Sequence, residues 1–378
     1  MDEITRAQRI VNRGARAHWW RRAGAPKRFR YVTEAGLPVT NREDVERARH
    51  LAIPPAWTEV RISPSNRSRL QAIGIDGGGK LQYLYHPSFV AHRQRHKFDR
   101  IEHFAEHLPN LRQKTSEHLA HEGLTRERVL ATIVRVINRL YFRVGSEAGV
   151  SKYRTYGVTT LRPRHLVFSD DGHVGFRFQA KHHIPTRRIL VDDVLERVLR
   201  ELKARGGSKL FAYRNGDGKD HFLRGADVNE YIKNLTAPEF SAKDFRTWAG
   251  TLLVAQELTK IGPAKGERQI KRNINDAVKR AAEQLGNTPS VCRRAYLHPA
   301  VLELYNRGFT LGDLPPHDPV IAATQSGLEP QEQALLELFH VARALHVRRA
   351  PKPRPKPEPT LAAPSNLLPQ GLPGPVHA

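Results

Sequence analysis

Cysteine, acidic residues and long apolar runs are all scarce in this chain of 378 residues. Its single cysteine, Cys292, excludes an internal disulfide and any zinc site built from several cysteines, which fits a reducing cytoplasm. No apolar run approaches the ~18 residues of a membrane span, so we expect a soluble protein without a membrane partner. The arginine-rich N-terminus lacks the apolar core of a secretory signal. These absences together favour a cytoplasmic protein.

The shortage of acidic residues leaves a large positive charge. Lys and Arg total 62 against 38 Asp and Glu, for a net charge of +24. Such an excess predicts a polyanionic partner, most often nucleic acid, with an anionic membrane surface as the lesser option. At roughly 150 residues per domain, the chain is long enough for about two domains.

The first part of the chain, residues 1–92, is predicted to be rich in β-structure. The stretch "RFRYVTEAGLPVT" predicts a hairpin, "WTEVRIS" a strand, and "LQAIGIDGGGKLQYLYH" two strands around a glycine-rich turn. Because side chains alternate along a strand, Tyr83 and Tyr85 share one face. These tyrosines are candidates either for the sheet core or, beside Lys80 and Gln82, for contacts with DNA.

Residues 93–320 are predicted to be mainly helical. The apolar periodicity of "TRERVLATIVRVINRLYF", "VDDVLERVLRELKAR", "KDFRTWAGTLLVAQEL" and "ERQIKRNINDAVKRAAEQL" predicts four helices, the first capped by Thr125. A hairpin is expected at "RHLVFSDDGHVGFRFQAK". Residues 321–347 predict a C-terminal helical segment. Residues 348–378 alternate proline with Lys and Arg and predict a disordered basic tail.

Candidate catalytic residues lie in four separate stretches. Tyr296 ends "TPSVCRRAY", Arg143 lies in "LYFRVGSE", Lys181 ends "FRFQAK", and Arg246 lies in "SAKDFRTW", pointing off that helix's apolar stripe. A phenol titrates near pH ~10 and needs cations to act as a nucleophile. No paired-acid motif for Mg²⁺ stands out, whereas arginines grip phosphate oxygens and stay charged. Each residue alone is typical of a solvated surface; together they indicate phosphoryl-transfer chemistry.

The chain resembles the type IB DNA topoisomerases in their compact bacterial and poxvirus-like form. The resemblance runs from about Arg21 to about Arg307. It rests on several stretches that occur in order: "IPPAWTEVRIS", "LQAIGID", "KLQYLYHP", "KFDRI", "FRVGSE", "YGVTTLRPRHL", "AKDFRTW" and "TPSVCRRAYL". It implies an α+β fold, in which a small β-rich N-terminal domain and a larger, mainly α-helical catalytic domain clamp duplex DNA.

The resemblance also implies a role for each candidate residue. Tyr296 would form a 3′-phosphotyrosyl link with one DNA strand, Arg143 and Arg246 would hold the scissile phosphate, and Lys181 would protonate the leaving 5′ oxygen. The segment that faces the major groove would carry three matching residues: Gln82, Tyr83 and Tyr85. The implied enzyme relaxes positive and negative supercoils without ATP, metal or another cofactor. We expect a monomer associated with the nucleoid in the cytoplasm.

Two positions depart from the family pattern. The family usually has histidine nine residues before the tyrosine, and this chain has Asn287, which can still donate a neutral hydrogen bond to a phosphate oxygen. The family lysine usually follows glycine, but Lys181 follows Gln179 and Ala180. The assignment of Lys181 as general acid therefore stays open, with Lys152 as the alternative.

Three other functions compete with this interpretation. Tyrosine recombinases use similar chemistry but typically carry histidine where this chain has Lys243, three residues before Arg246. A non-enzymatic DNA-binding relative would share the positive charge but needs no tyrosine beside two arginines. A metal hydrolase lacks support, because His118 and His121 do not have HExxH spacing and are expected on a solvated helix face.

Overall fold

The structure is a computed structural model that describes residues 3–26, 28–214, 218–314 and 327–349. Its strands are β1 (Trp20–Ala23), β2 (Arg30–Val32), β3 (Thr58–Ile62), β4 (Leu70–Ile75), β5 (Leu81–Tyr85), β6 (Leu166–Phe168), β7 (Val174–Ala180), β8 (Ile184–Leu190), β9 (Ala212–Arg214) and β10 (Asp220–Phe222). Its α-helices are α1 (Glu3–Val11), α2 (Arg42–His50), α3 (Pro87–Leu119), α4 (Arg126–Leu140), α5 (Glu147–Tyr153), α6 (Asp193–Ala204), α7 (Gly225–Leu235), α8 (Ala242–Ile261), α9 (Glu267–Leu285), α10 (Pro289–Ala295), α11 (Pro299–Asn306) and α12 (Pro330–Arg349).

The N-terminal part is built on an antiparallel five-stranded sheet in the order β2-β1-β3-β4-β5. This confirms the prediction of a small β-rich region and the strands β3, β4 and β5. The predicted hairpin at "RFRYVTEAGLPVT" is correct only in part. After β2 the chain turns back through a hydrogen bond from Thr33 N to Leu37 O at 2.8 Å, and the return is a single bridge between Val32 and Pro38.

Both faces of this sheet are covered, because successive strand residues point to opposite sides. Ala72 packs in one cluster with Ala48 of α2, whereas the next residue, Ile73, packs in another cluster with Val11 of α1. Two short helices therefore bury the sheet on either side.

One long helix, α3, joins the sheet to the rest of the chain. It begins directly after β5, with Pro87 in its first turn and His86 as N-cap, whose Nδ1 accepts a hydrogen bond from Ser88 N at 3.2 Å. Proline suits this position because the first helical N–H has no partner within the helix. The change from strand to helix thus occurs before the predicted position near His92. The proposed domain boundary there falls inside a helix.

The remainder of the chain is the larger, mainly helical part that the sequence predicted. The expected helices α4, α6, α8 and α9 are present, and Thr125 caps α4 by accepting a hydrogen bond from Arg128 N at 3.2 Å. The predicted hairpin is β6–β7. However, β8 also pairs with β7, so that Lys181 lies in the turn of a second hairpin within a three-stranded sheet. The sequence reasoning missed β8.

Helix α8 is more deeply buried than its apolar stripe indicates. Phe245, Trp248, Ala249 and Leu252 are buried as expected, but Arg246, which was expected to point away from them, is also only 4% exposed. Packing on the opposite face of α8 explains the difference, because the end of α9 and Tyr296 lie against that side. The charged residue is therefore enclosed rather than solvated.

A buried carboxylate attaches helix α12 to the rest of the helical part. Glu332 accepts two hydrogen bonds from Arg112, at 2.7 and 2.9 Å, and one from Trp248 Nε1 at 3.0 Å. Burial by itself would raise the pKa of Glu332, but the hydrogen bonds and charge of Arg112 and the Trp248 indole hold that pKa below its ordinary value. Most of the predicted basic tail lies outside the described residues.

Glu332→Gln should lower the free energy of unfolding by about 3 kcal/mol or more, because the charge of Arg112 would remain without its carboxylate. Urea denaturation followed by circular dichroism would measure this loss. Glu329→Gln is the matched control, since Glu329 pairs with Arg139 on the surface and an exposed pair contributes under about 1 kcal/mol. Equal losses in both variants would contradict the proposed importance of the buried carboxylate.

Candidate active site

Tyr296 is placed through its backbone. It is the residue at which α10 ends, and its N–H donates to Cys292 O at 2.9 Å. Its carbonyl accepts a hydrogen bond from Thr251 Oγ1 of α8 at 2.8 Å. Gly250 allows the close approach, because a Cβ there would lie 2.6 Å from the Cβ of Tyr296. The tyrosine is thereby held against α8 with 9% of its surface exposed.

Arg246 lies over the ring of Tyr296. Its guanidinium carbon is 5.4 Å from the ring centroid, within the range of a cation–π contact. Its two terminal nitrogens donate to the carbonyls of Tyr141 and Leu285, the latter at 2.8 Å. Tyr141 ends α4 in a left-handed conformation with φ of 57°, one of the C-terminal positions where a helix carbonyl lacks a partner in its own helix. Two helix ends therefore hold Arg246 beside the phenol.

Arg143 and Arg246 line one cavity. Gly286 and Tyr141 line it as well. The Nη2 of Arg143 donates to Gly286 O at 3.1 Å and to Asn287 Oδ1. Burial and, secondarily, the charge of Arg246 lower the pKa of Arg143 to about 10, while Tyr296 acts in the opposite direction. The side chain still carries its charge at neutral pH.

Asn287 presents an unused donor beside Arg143. Its Oδ1 is taken by Arg143, but its Nδ2 is buried and finds no hydrogen-bond partner in the described part of the chain. The Nε of Arg246 is in the same situation. Leaving a buried donor unpaired costs about 1–3 kcal/mol. Both residues lie at the end of α9, where Arg246 binds Leu285 O and Arg143 joins Gly286 O to Asn287. Two such donors at this point indicate a place for an acceptor that comes from outside the protein.

Lys181 is not brought into this cavity. It is exposed in the turn Lys181–His183 between β7 and β8, next to Ala180, which does line the cavity. His182 and His183 hold positive φ angles of 64° and 56°, so this turn is conformationally unusual for residues other than glycine. The alternative lysine, Lys152, is also exposed, near the end of α5, with its ammonium 5.6 Å from the ring of Tyr153. The general-acid role of either lysine stays a prediction.

The four predicted DNA-binding residues do not share one face of β5. Tyr83 and Tyr85 are exposed, at 40% and 38%, and their rings stack with centroids 6.2 Å apart. Gln82 points the other way, and its amide donates to Asp76 Oδ2 in the preceding turn at 2.7 Å. The ammonium of Lys80 lies 5.8 Å from the ring of Tyr153, which belongs to the helical part. The two tyrosines remain the stronger candidates for contact with a ligand.

Lys97 and a basic groove were missed by the sequence reasoning, although "KFDRI" was noted as part of the resemblance. The ammonium of Lys97 donates to the carbonyl of Ala295, the residue before Tyr296. Burial, with help from Lys243 and Arg100, lowers its pKa to about 8, against the opposing charge of Asp244. The groove beside it is lined mainly by cationic and aromatic side chains: Tyr85, Phe89, Arg93, Arg100, Lys243 and Arg294.

The structure also bears on the histidines that suggested a metal hydrolase. His118 is half-buried on α3 and bonds to the hydroxyl of Tyr231 at 2.6 Å, so the expectation of a solvated face was wrong for this residue. Over the ranges that the structure covers, no group of three or more metal-ligating side chains gathers at one point. None of the helices in those ranges is long and apolar enough to cross a membrane.

A helical part that encloses a tyrosine beside two arginines is the arrangement expected of the type IB topoisomerase and tyrosine recombinase class. Comparison with known families separates these two. Residues 86–309 match the model of the eukaryotic DNA topoisomerase I catalytic core. Residues 28–76 match that of the bacterial DNA topoisomerase IB N-terminal domain.

Individual relatives agree with the family models. The chain is 30% identical over 293 residues to DNA topoisomerase 1B of Acanthamoeba polyphaga mimivirus, covering 76% of this chain and 87% of the relative. It is 23% identical over 265 residues to DNA topoisomerase 1B of Vaccinia virus (strain Copenhagen), covering 68% and 80%. It is 26% identical over 263 residues to DNA topoisomerase 1 of Mycosarcoma maydis, covering 61% of this chain and 26% of the relative.

The chain therefore belongs to the type IB DNA topoisomerase family. This confirms the resemblance, the fold class and the assignment as an enzyme of that class, whose substrate is DNA. The tyrosine recombinase alternative is set aside.

The segment after Tyr296 contains a buried histidine that should make the fold sensitive to acid. His298 caps α11 by accepting a hydrogen bond from Ala300 N at 3.1 Å, and its ring packs 4.3 Å from that of Phe339 on α12. Burial, then the charges of Lys97 and Arg343, lower its pKa to about 3. Glu102 lies 3.9 Å away. The native state therefore favours the neutral imidazole.

His298→Asn should reduce the loss of stability between pH 7 and pH 4. In the parent, His298 of the unfolded chain binds a proton below about pH 6.5, whereas in the folded chain it stays neutral down to about pH 3. The free energy of unfolding therefore decreases as the pH is lowered from about 6.5 to about 3. At about 1.36 kcal/mol per pKa unit the penalty is a few kcal/mol at pH 4. Asn keeps the helix cap. Urea denaturation at both pH values would test this, and equal losses in parent and variant would exclude His298 as the cause.

Proposed function

We propose that this chain relaxes positive and negative supercoils in duplex DNA by transient cleavage of one strand through Tyr296. The observation that carries the proposal is the enclosure of the Tyr296 phenol beside Arg246, Arg143 and the unused donor of Asn287. Binding alone gives no reason to bury a tyrosine among these groups. A non-enzymatic DNA-binding relative is therefore the less favoured function.

In the proposed reaction, the phenolic oxygen of Tyr296 attacks the scissile phosphorus. A bond forms between phosphorus and that oxygen, and the bond from phosphorus to the 5′ oxygen of the next nucleotide breaks. The departing oxygen takes a proton, which we assign to Lys181. The product is a 3′-phosphotyrosyl link and a free 5′-hydroxyl, so one phosphoester replaces another and no ATP is required.

The charged groups act on the transition state of this exchange. Negative charge increases on the nonbridging phosphate oxygens, where Arg143 and Arg246 supply cations and Asn287 Nδ2 supplies a neutral donor. In the structure the two guanidinium groups bind backbone carbonyls, which occupy the donors that a phosphate would take. The exposed turn that carries Lys181 would have to approach the cleaved bond when DNA is bound.

The same proposal covers how the duplex is held. Tyr83 on β5 and the basic groove beside Lys97, which Tyr85 also lines, would together contact the DNA. Cleavage of one strand then leaves the free end able to swivel, and the 5′-hydroxyl reverses the exchange to reseal the strand. We further propose that the enzyme acts as a monomer at the nucleoid.

Purified protein should relax supercoiled plasmid in EDTA without ATP, since arginines supply the positive charge and the phosphotyrosyl link retains the energy of the broken bond. Gel electrophoresis of negatively and positively supercoiled plasmid would show it. Tyr296→Phe removes only the reacting oxygen and should abolish both relaxation and the covalent adduct while leaving duplex binding nearly unchanged.

Tyr213→Phe is the control for loss of a phenol, because Tyr213 lies on β9 away from the arginine cavity. It should relax plasmid as the parent does. An absolute requirement for Mg²⁺ or ATP would contradict the proposed mechanism. A covalent adduct that persists in Tyr296→Phe would move the nucleophile to another residue.

Asn287 should contribute through its amide donor. Asn287→Ala is expected to slow single-turnover cleavage by about 10²–10³, the usual effect of losing one such donor. Asn287→Asp keeps an oxygen for Arg143 but loses the donor, so it should be at least as slow. Asn287→His should recover much of the rate and acquire a pH dependence near ~6.5 that the parent lacks. Parental rates in the Ala and Asp variants would leave Asn287 without a catalytic role.

A further inference from the structure

Three arginines from three different elements bind the C-terminal end of α9. Arg188 of β8 donates to Glu283 O at 3.2 Å and to Gln284 O at 2.8 Å. Arg246 binds the carbonyl of the next residue, Leu285, and Arg143 binds that of Gly286. Four consecutive carbonyls are therefore paired with guanidinium groups. The last carbonyls of a helix lack partners in the helix and carry the negative end of its dipole.

Arg188 differs from Arg143 and Arg246 in having no proposed role at the scissile phosphate. It lies on the inward face of β8 and lines the same cavity as Arg143 and Arg246, whereas its neighbour Arg187 is exposed on the opposite face. Burial lowers the pKa of Arg188. Placing a third cation here is unfavourable in itself, so its contacts with the helix end must compensate.

The end of α9 determines where Asn287 lies. The helix stops at Gly286, which has a left-handed conformation with φ of 60°, and Asn287 N bonds back to Ala282 O at 2.9 Å. The last turn of α9 contains no basic residue of its own. The cations that stabilise this turn ahead of Gly286 therefore come from other parts of the chain, with Arg188 at Glu283 and Gln284 and Arg246 at Leu285.

We propose that Arg188 is a positioning residue, which fixes the last turn of α9 and so holds Asn287 at the scissile phosphate. This inference rests on the proposed function. Arg188 need not contact DNA, because its effect passes through the carbonyls of Glu283 and Gln284 to the Gly286 bend. It also links the hairpin that carries Lys181 to α9.

Arg188→Ala and Arg187→Ala form a matched pair, because each removes one charge and they are adjacent in β8. Single-turnover cleavage of a duplex should be slower in Arg188→Ala by about 10-fold to 10²-fold, the effect of a misplacement of about 1 Å. Arg187→Ala should cleave at the parental rate. Noncovalent duplex affinity, measured with each change in a Tyr296→Phe background, should be the same for both. Arg188→Lys should recover part of the rate, because it restores a donor, and it replaces Arg188→Ala as the test variant if that protein does not fold.

A second measurement distinguishes positioning from a general structural effect. In an Asn287→Ala background, adding Arg188→Ala should cost little further rate, because the residue through which it acts is already gone. An undiminished loss in that background would overturn the inference, and so would equal cleavage rates in Arg188→Ala and Arg187→Ala. If the parent protein itself forms no covalent adduct, it is the proposed function that fails.

Discussion

Positive charge crowded against one helix end is the constraint on which the site depends. Arg143, Arg188 and Arg246 repel one another, and burial adds to the cost of bringing them together. The carbonyls at the end of α9 offset that cost by accepting their hydrogen bonds. The segment that follows α4, the middle of β8 and the first half of α8 therefore all meet at this point.

The tyrosine is positioned by contacts with its backbone, which leaves its phenol available. Thr251 binds the carbonyl of Tyr296, Lys97 binds the carbonyl before it, and Gly250 lets α8 approach. These residues fix the end of α10 from two directions without touching the reacting oxygen. The side chain is then defined by the ring contact with Arg246. As the proposed nucleophile, a tyrosine held in this way would lose little freedom when the substrate arrives.

The protein also leaves hydrogen-bonding capacity unused where an anion would bind. Buried donors are normally paired, and the unpaired Nδ2 of Asn287 and Nε of Arg246 depart from that rule at the end of α9. Such departures are expected at functional sites, where the compensating acceptor is the substrate. In the proposed mechanism the Nδ2 donor also makes Asn287 compatible with the site in place of the family histidine, because the role needs a donor rather than a titratable ring.

Local patterns in the sequence determined much of the fold. Apolar periodicity was enough for α4, α6, α8 and α9, and alternation with glycine turns was enough for β4 and β5, because these patterns depend on neighbours along the chain. The candidate roles of Tyr296, Arg143 and Arg246 came from motifs shared with a family, and Asn287 was identified where the chain departs from that family's pattern. Only the tertiary structure decided that β8 completes a sheet, that Arg246 is buried, and that Arg188 and Lys97 border the site. Each of these depends on residues far apart in sequence, and the burial of a charge is set by what packs over it, which no local pattern records.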